Sequence, residues 1–172
     1  VAWTFKRAPG VFDVVCYTGD GSINRSIQHN LAAKPELVFI KYRGGASNWI
    51  ACGKAGSSFG NDTYVGLFLN LANSSTTGWS EVSGATLGLT STHMNVGVIA
   101  NQSGVSGNSN GFTYVAYLFA SLPGISKVGS YTGNGSSQTI NCGFSTGARF
   151  ILIKRTDSTG DWYVWDTARG II

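Results

Sequence analysis

Residues 17–22 read YTGDGS and residues 131–136 read YTGNGS. The same turn is written twice, 114 positions apart, and the likeness spreads outward from it. Residues 1–22 laid over 115–136 match at 11 of 22 positions: Val1/Val115, Ala2/Ala116, Phe5/Phe119, Pro9/Pro123, Gly10/Gly124, Val14/Val128, Tyr17/Tyr131, Thr18/Thr132, Gly19/Gly133, Gly21/Gly135 and Ser22/Ser136. Ordinary composition would supply roughly one or two. After a one-residue slip, ELVFIK (36–41) is answered by RFILIK (149–154), and Asn48-Trp49 by Asp161-Trp162. This is a tandem repeat of about 114 residues.

The exchange of Asp20 for Asn134 says what the turn is for. Asp-Gly and Asn-Gly are the strongest signals for a type I′ hairpin, whose two central residues both need positive φ. A calcium ligand or a catalytic carboxylate at Asp20 would not become neutral in the second copy. The predicted role is a hairpin turn, repeated because the fold repeats.

Strand patterns run through the chain. Expected strands are 1–6, 13–18, 23–28, 36–43, 48–52, 64–70, 87–91, 95–100, 112–120, 126–132, 137–142, 149–155 and 161–166. In ELVFIKYR (36–43), Leu37 and Phe39 alternate with Val38, Ile40 and Tyr42. Short strands punctuated by Gly, Asn and Ser predict an all-β protein, an antiparallel β-sandwich or jelly roll repeated every 114 residues or so. The expected division is residues 1–8 as the closing strand of a preceding repeat, 9–122 as a complete β-sandwich repeat, and 123–172 as the first half of a following one. Only Arg7-Ala8-Pro9-Gly10 and Ser121-Leu122-Pro123-Gly124 stand between them. Proline fixes φ and glycine permits the bend, so these joints are stiff.

Composition narrows the function. Charged residues make up 12% of the chain, about half the usual share, while Gly numbers 24. The net charge of +4 is scattered over Lys6-Arg7, Lys41-Tyr42-Arg43 and Lys154-Arg155 rather than set in one stripe, so no nucleic-acid partner is expected. The longest apolar run, YVAYLFASL (114–122), is too short to cross a bilayer, and no membrane partner is expected. Cys16, Cys52 and Cys142 form no CxxC pair and no zinc spacing. No secretory-signal pattern opens the sequence, and a reducing compartment is the expected place of folding. No cofactor or metal is implied.

No catalytic residues emerge. A triad needs a nucleophile, a base and an orienting acid, and the histidines, His29 and His93, read as turn and strand-edge residues. The acids Asp13, Asp20, Glu36, Asp62, Glu81, Asp157, Asp161 and Asp166 form no pair along one strand suited to glycoside hydrolysis. Trp49 and Trp162 recur at matching strand starts and are expected in the core. Lys41 and Lys154 also recur, each closing an apolar strand, where a lysine snorkels to the surface. The variable loops 71–86 and 101–111 hold the ligand candidates: Trp79 for stacking on a sugar ring, with Asn101, Asn108 and Asn110 for hydrogen bonding.

The strings VAWTFKRAPG (1–10), YTGDGS, PELVFIK (35–41) and FILIKRTDSTGDWYVWDTARGI (150–171) resemble a repeat of long virion-associated proteins of tailed phages. That resemblance is strongest over 1–42 and 112–172. It implies a non-enzymatic structural protein of the virion, made in the host cytoplasm, with lectin-like β-sandwich repeats in a tail fibre or other appendage. It also implies other virion proteins as partners, a homo-oligomer (a trimer if a fibre), and host surface glycan as a ligand. A capsid-surface decoration protein is the alternative, and a polysaccharide-degrading enzyme on a sandwich scaffold the third. The first copy has ACGKAG (51–56) where the second has WDTARG (165–170), so no family binding residue is carried over.

Overall fold

In the computed structural model the described residues are 2–54, 64–73, 88–97 and 107–170. Among them every regular element is a strand: β1 (Phe12–Thr18), β2 (Arg25–Gln28), β3 (Leu37–Tyr42), β4 (Ile50–Lys54), β5 (Tyr64–Phe68), β6 (His93–Val96), β7 (Thr113–Phe119), β8 (Phe150–Lys154) and β9 (Trp162–Asp166). The main sheet has five strands in the order β1-β7-β3-β4-β5, and all its pairs are antiparallel. β2 and β6 form a ribbon of their own, as do β8 and β9.

Alternation sets the layers. Tyr114, Ala116 and Leu118 on β7 face inward beside Val38 and Ile40 of β3, Ile50 and Cys52 of β4, and Tyr17 of β1. The β2–β6 ribbon lies over them with Ile27, Met94 and Val96, and Leu31 and Leu89 join the same core. This is an antiparallel sandwich, as the strand pattern predicts.

The other face of the main sheet is aromatic, and residues 2–6 together with β8–β9 pack on it. Phe5 meets Phe12, Phe119 and Phe150, with ring centroids 5.5, 5.7 and 5.8 Å away. Trp162 stands edge-on to Phe39 and donates its indole N–H to the Phe68 carbonyl at 3.0 Å. Trp49 stacks on Tyr117. Trp49 and Trp162 are thus half-buried in this second aromatic contact, outside the sandwich core where they were expected.

The expected hairpin at Asp20-Gly21 is not formed. β1 pairs with β7 and β2 with β6, so residues 19–24 carry the chain from one sheet to the other. Gly21 has φ 77°, but Asp20 is not among the positive-φ residues, which rules out type I′. Instead the Asp20 carboxylate accepts from the Ser22 amide at 2.9 Å, an Asx turn that Asn can make equally well. Asn134 does so, accepting from the Ser136 amide at 3.0 Å.

Other expectations shift with their partners. Residues 2–6, 126–132 and 137–142 form no strand, and no strand among the described residues pairs with them. The strand expected over 87–91 is reduced to a bridge at Leu89, and β6 starts at His93 rather than residue 95. Lys41 does not snorkel outward. Its ammonium donates to the carbonyls of Tyr42 (2.9 Å) and Gly45 (3.3 Å) and to Ser47 Oγ (3.1 Å), tying the β3–β4 loop. Lys154 repeats the clamp on the carbonyls of Arg155 and Gly160, both at 2.9 Å.

Leu118 on β7 is fully buried, whereas Ile125 is exposed. Leu118→Ala is expected to cost about 2–5 kcal/mol in urea unfolding, and Ile125→Ala less than about 0.5 kcal/mol.

Candidate functional site

The sequence places its ligand candidates on the loops 71–86 and 101–111. Trp79 and Asn101 lie outside the described residues. Asn108 and Asn110 are described, and the structure gives them different uses.

Asn108 is a buried strut. Its amide nitrogen donates to Asp20 Oδ1 (2.8 Å) and the Ser22 carbonyl (2.8 Å), and its amide oxygen accepts from the Asp20 amide (3.3 Å). With the side chain at 0% exposure, no ligand can reach these atoms. The assignment of Asn108 to glycan contact is therefore corrected: the amide holds the YTGDGS turn against the 107–112 loop. Asn110, by contrast, is exposed at the loop tip.

Main-chain contacts tighten the same junction. Gly19 donates to the Phe112 carbonyl (2.7 Å) and accepts from Gly111 (2.9 Å), while Gly21 donates to the Asn108 carbonyl (2.9 Å). The Tyr17 hydroxyl donates to the Gly107 carbonyl at 2.6 Å, and Tyr114 Oη accepts from the Ser109 amide at 3.1 Å. A Cβ on Gly19 would lie 2.1 Å from the Ser109 carbonyl oxygen, so this position admits only glycine.

Electrostatics follow from these contacts. Hydrogen bonds from Ser22 and Asn108, with Arg25 nearby, pull the Asp20 carboxyl down to about 2. Burial pushes the Tyr17 hydroxyl above its ordinary value. Burial likewise pushes the Cys52 thiol up to about 12, so it is an inert core residue, while Cys16 is exposed; all three cysteines are thiols. Burial lowers His29, whose Nδ1 accepts from the Leu31 amide at 3.2 Å, which fits a neutral structural ring. Among the described residues no group of His, Cys, Asp and Glu could hold a metal ion. No described helix is long and apolar enough to cross a membrane.

Sequence reasoning missed several residues. Phe112 is exposed beside Asn110 and stacks on Tyr42, with centroids 4.8 Å apart. That gives the loop end an aromatic face next to an amide. The signal was present, since Phe112 directly follows the Gly/Ser/Asn run, but it reads equally as a strand start. Asp13 is buried in β1, bonded to Arg7 (2.5 Å) and the Asn30 amide (2.7 Å) at a hollow lined by Pro9 and Phe12. Burial pushes its carboxyl up, but Arg7 and Asn30 outweigh that and hold it below the ordinary range. Asp166, buried on β9, accepts from the Trp3 indole (2.9 Å) and from Arg169 (2.7 Å), which lies over the Trp3 ring. A lone acid inside an apolar strand marks both positions.

The model of one protein family matches residues 7–172, and that family is described as a domain of unknown function, DUF7483. The chain belongs to the DUF7483 family. No curated protein and no solved structure matches it.

Two outcomes test the junction. Gly19→Ala should cost at least about 3 kcal/mol in urea unfolding, because a backbone oxygen rather than a flexible side chain must move. Asp20→Asn should keep the turn and change its pH response. The folded carboxyl lies below its unfolded value of about 3.9, so its contribution is present above that value and lost as pH falls towards 2. The stability gap between the parent and Asp20→Asn should therefore shrink from about pH 5 to pH 2 in acid-dependent thermal melts.

Proposed function

We propose that this DUF7483 chain is a non-enzymatic structural protein of a tailed-phage virion, its β-sandwich repeats forming part of a tail fibre or other appendage. The observation that carries the reading is the sameness of the two joints. At the first, the Ala8 amide donates to the Phe12 carbonyl (2.9 Å) and the Phe12 amide to Ala8 (3.0 Å). At the second, Leu122 donates to Ser126 (3.1 Å) and Ser126 to Leu122 (3.0 Å). Gly10 and Gly124 share φ 76°. Two closed turns of one geometry, each locked by proline and reciprocal hydrogen bonds, suit units set at a fixed pitch along a rod. A flexible linker between independently working domains would look different.

The low charge and the polar Gly/Ser/Asn surface fit a protein that stands outside a particle. Glycan contact belongs at the loop end bearing Asn110 and Phe112. The Phe112–Tyr42 pair offers a ring face to a pyranose, and Asn110 offers donor and acceptor atoms at its rim.

Quantitative mass spectrometry of purified particles carrying this polypeptide tests the placement. A few trimers per particle are expected. Hundreds of copies would overturn the appendage reading in favour of a capsid-surface decoration protein. On a glycan array, Phe112→Ala should lose at least about tenfold in affinity for any sugar bound by the parent, the scale of one stacking contact.

A further inference from the structure

Residues 123–170 repeat residues that form a core earlier in the chain, but among the described residues nothing covers them. Tyr17 is 8% exposed in the complete unit, and its counterpart Tyr131 is 49% exposed. Cys52 is 1% exposed, while Trp165, at the matching place, is 44% exposed and stacks on an equally bare Tyr163. Ile27 is buried and its counterpart Ile140 is not. Among the described residues β8 and β9 pair only with each other, and residues 126–132 lie in no strand.

Glycine gives the sharpest sign. Gly19 must be glycine because the Ser109 carbonyl presses on it. Gly133 stands at the same place in the second copy, where a Cβ would meet no heavy atom within 4 Å. Its φ is not positive either. Nothing among the described residues requires glycine at 133, whereas a loop like 107–112 would. The Asn134–Ser136 turn is likewise formed and ready, with no amide like Asn108 to grip it.

We infer that residues 123–170 are a docking surface for the second half of another repeat, a polypeptide with the pattern of residues 60–122 of this chain. One such segment fills every vacancy. Its β7-type strand enters between 126–132 and the open edge of β8, as β7 lies between β1 and β3. Its β5-type strand extends β9, its β6-type strand covers Tyr131, Trp165 and Tyr163, and its 107–112-type loop closes on Gly133. A second copy of these 172 residues does not supply the piece. Each copy holds two first halves and one second half, and that half is already bound within its own sheet. The nearest thing left over is residues 2–6, similar to β7 in sequence. Phe5 lies edge-on to Phe150, as Phe119 sits opposite Leu37. The inference rests on the repeat and not on the virion assignment, so either can fail alone.

The test is the chain extended beyond Ile172 by a second copy of residues 60–122, compared with the present chain by hydrogen exchange and mass spectrometry. Amides of 126–132 should exchange at least about a hundredfold more slowly in the extended protein. Gly133→Ala should leave the 172-residue chain unchanged and remove that protection from the extended one. Equal exchange of 126–132 in both chains, whether or not the added segment folds, overturns the inference. So does protection that survives Gly133→Ala.

Discussion

The structure depends on β7 being held on both sides. This strand comes from residues 113–119, yet it lies between β1 and β3, which begin the unit. Its register with β1 joins Phe12 to Phe119 and Thr18 to Thr113, and with β3 joins Leu37 to Phe119 and Tyr42 to Tyr114. β1 and β3 therefore have no strand between them until residues 113–119 arrive. Loop closure over such a span must come before the contacts that reward it. Residues 123–170 show no such strand among the described residues: they form a β8–β9 hairpin whose pairing is local, and residues 126–132 lie in no strand. Near-identical sequence at 17–22 and 131–136 thus lies in two different surroundings.

That non-locality marks where the sequence is legible. Strand existence and facing come from alternation within a few residues, and β3, β7 and β8 fall where LVFIKY, TYVAYLF and FILIK put them. Pairing partners are set by residues far away, and local signals mislead there. Asp-Gly between two apolar runs looks like a hairpin, but β2 pairs with β6 rather than with the open edge of β1, so the chain after Thr18 crosses to the other sheet. The turn is then chosen for its Asx bond and for the passing Ser109 carbonyl, not for joining neighbours.

The same limit governs the site. A run such as SGNSNG looks like an open binding loop because each residue is polar, but burial is a property of what packs over it. Asn108 turns inward because the Asp20 turn offers it a donor and acceptors in a place shut off from water, where an unpaired amide would be costly. Asn110, two residues on, has no such partner across the junction and stays at the surface. Polarity alone could not separate a strut from a contact residue; the lack of a side chain at Gly19 was the readable hint that something passes close by.

Tryptophan shows the same dependence on surroundings. Trp49 and Trp162 hold matching positions, but Trp49 stacks on Tyr117 of its own sheet while Trp162 reaches the preceding unit through Phe39 and the Phe68 carbonyl. Trp3 occupies the Tyr117 place in the repeat, yet it is bound at Asp166 and under Arg169. Trp49 and Trp162 recur while their neighbours change (Phe39 is answered by Leu152 and Cys52 by Trp165), so the surroundings decide what each indole packs on. Since aromatic contacts are worth about 0.5–1.5 kcal/mol beyond their buried area, this layer is strong enough to fix how adjacent units meet. It is also weak enough to be rearranged when a β7-type strand takes its place beside β8.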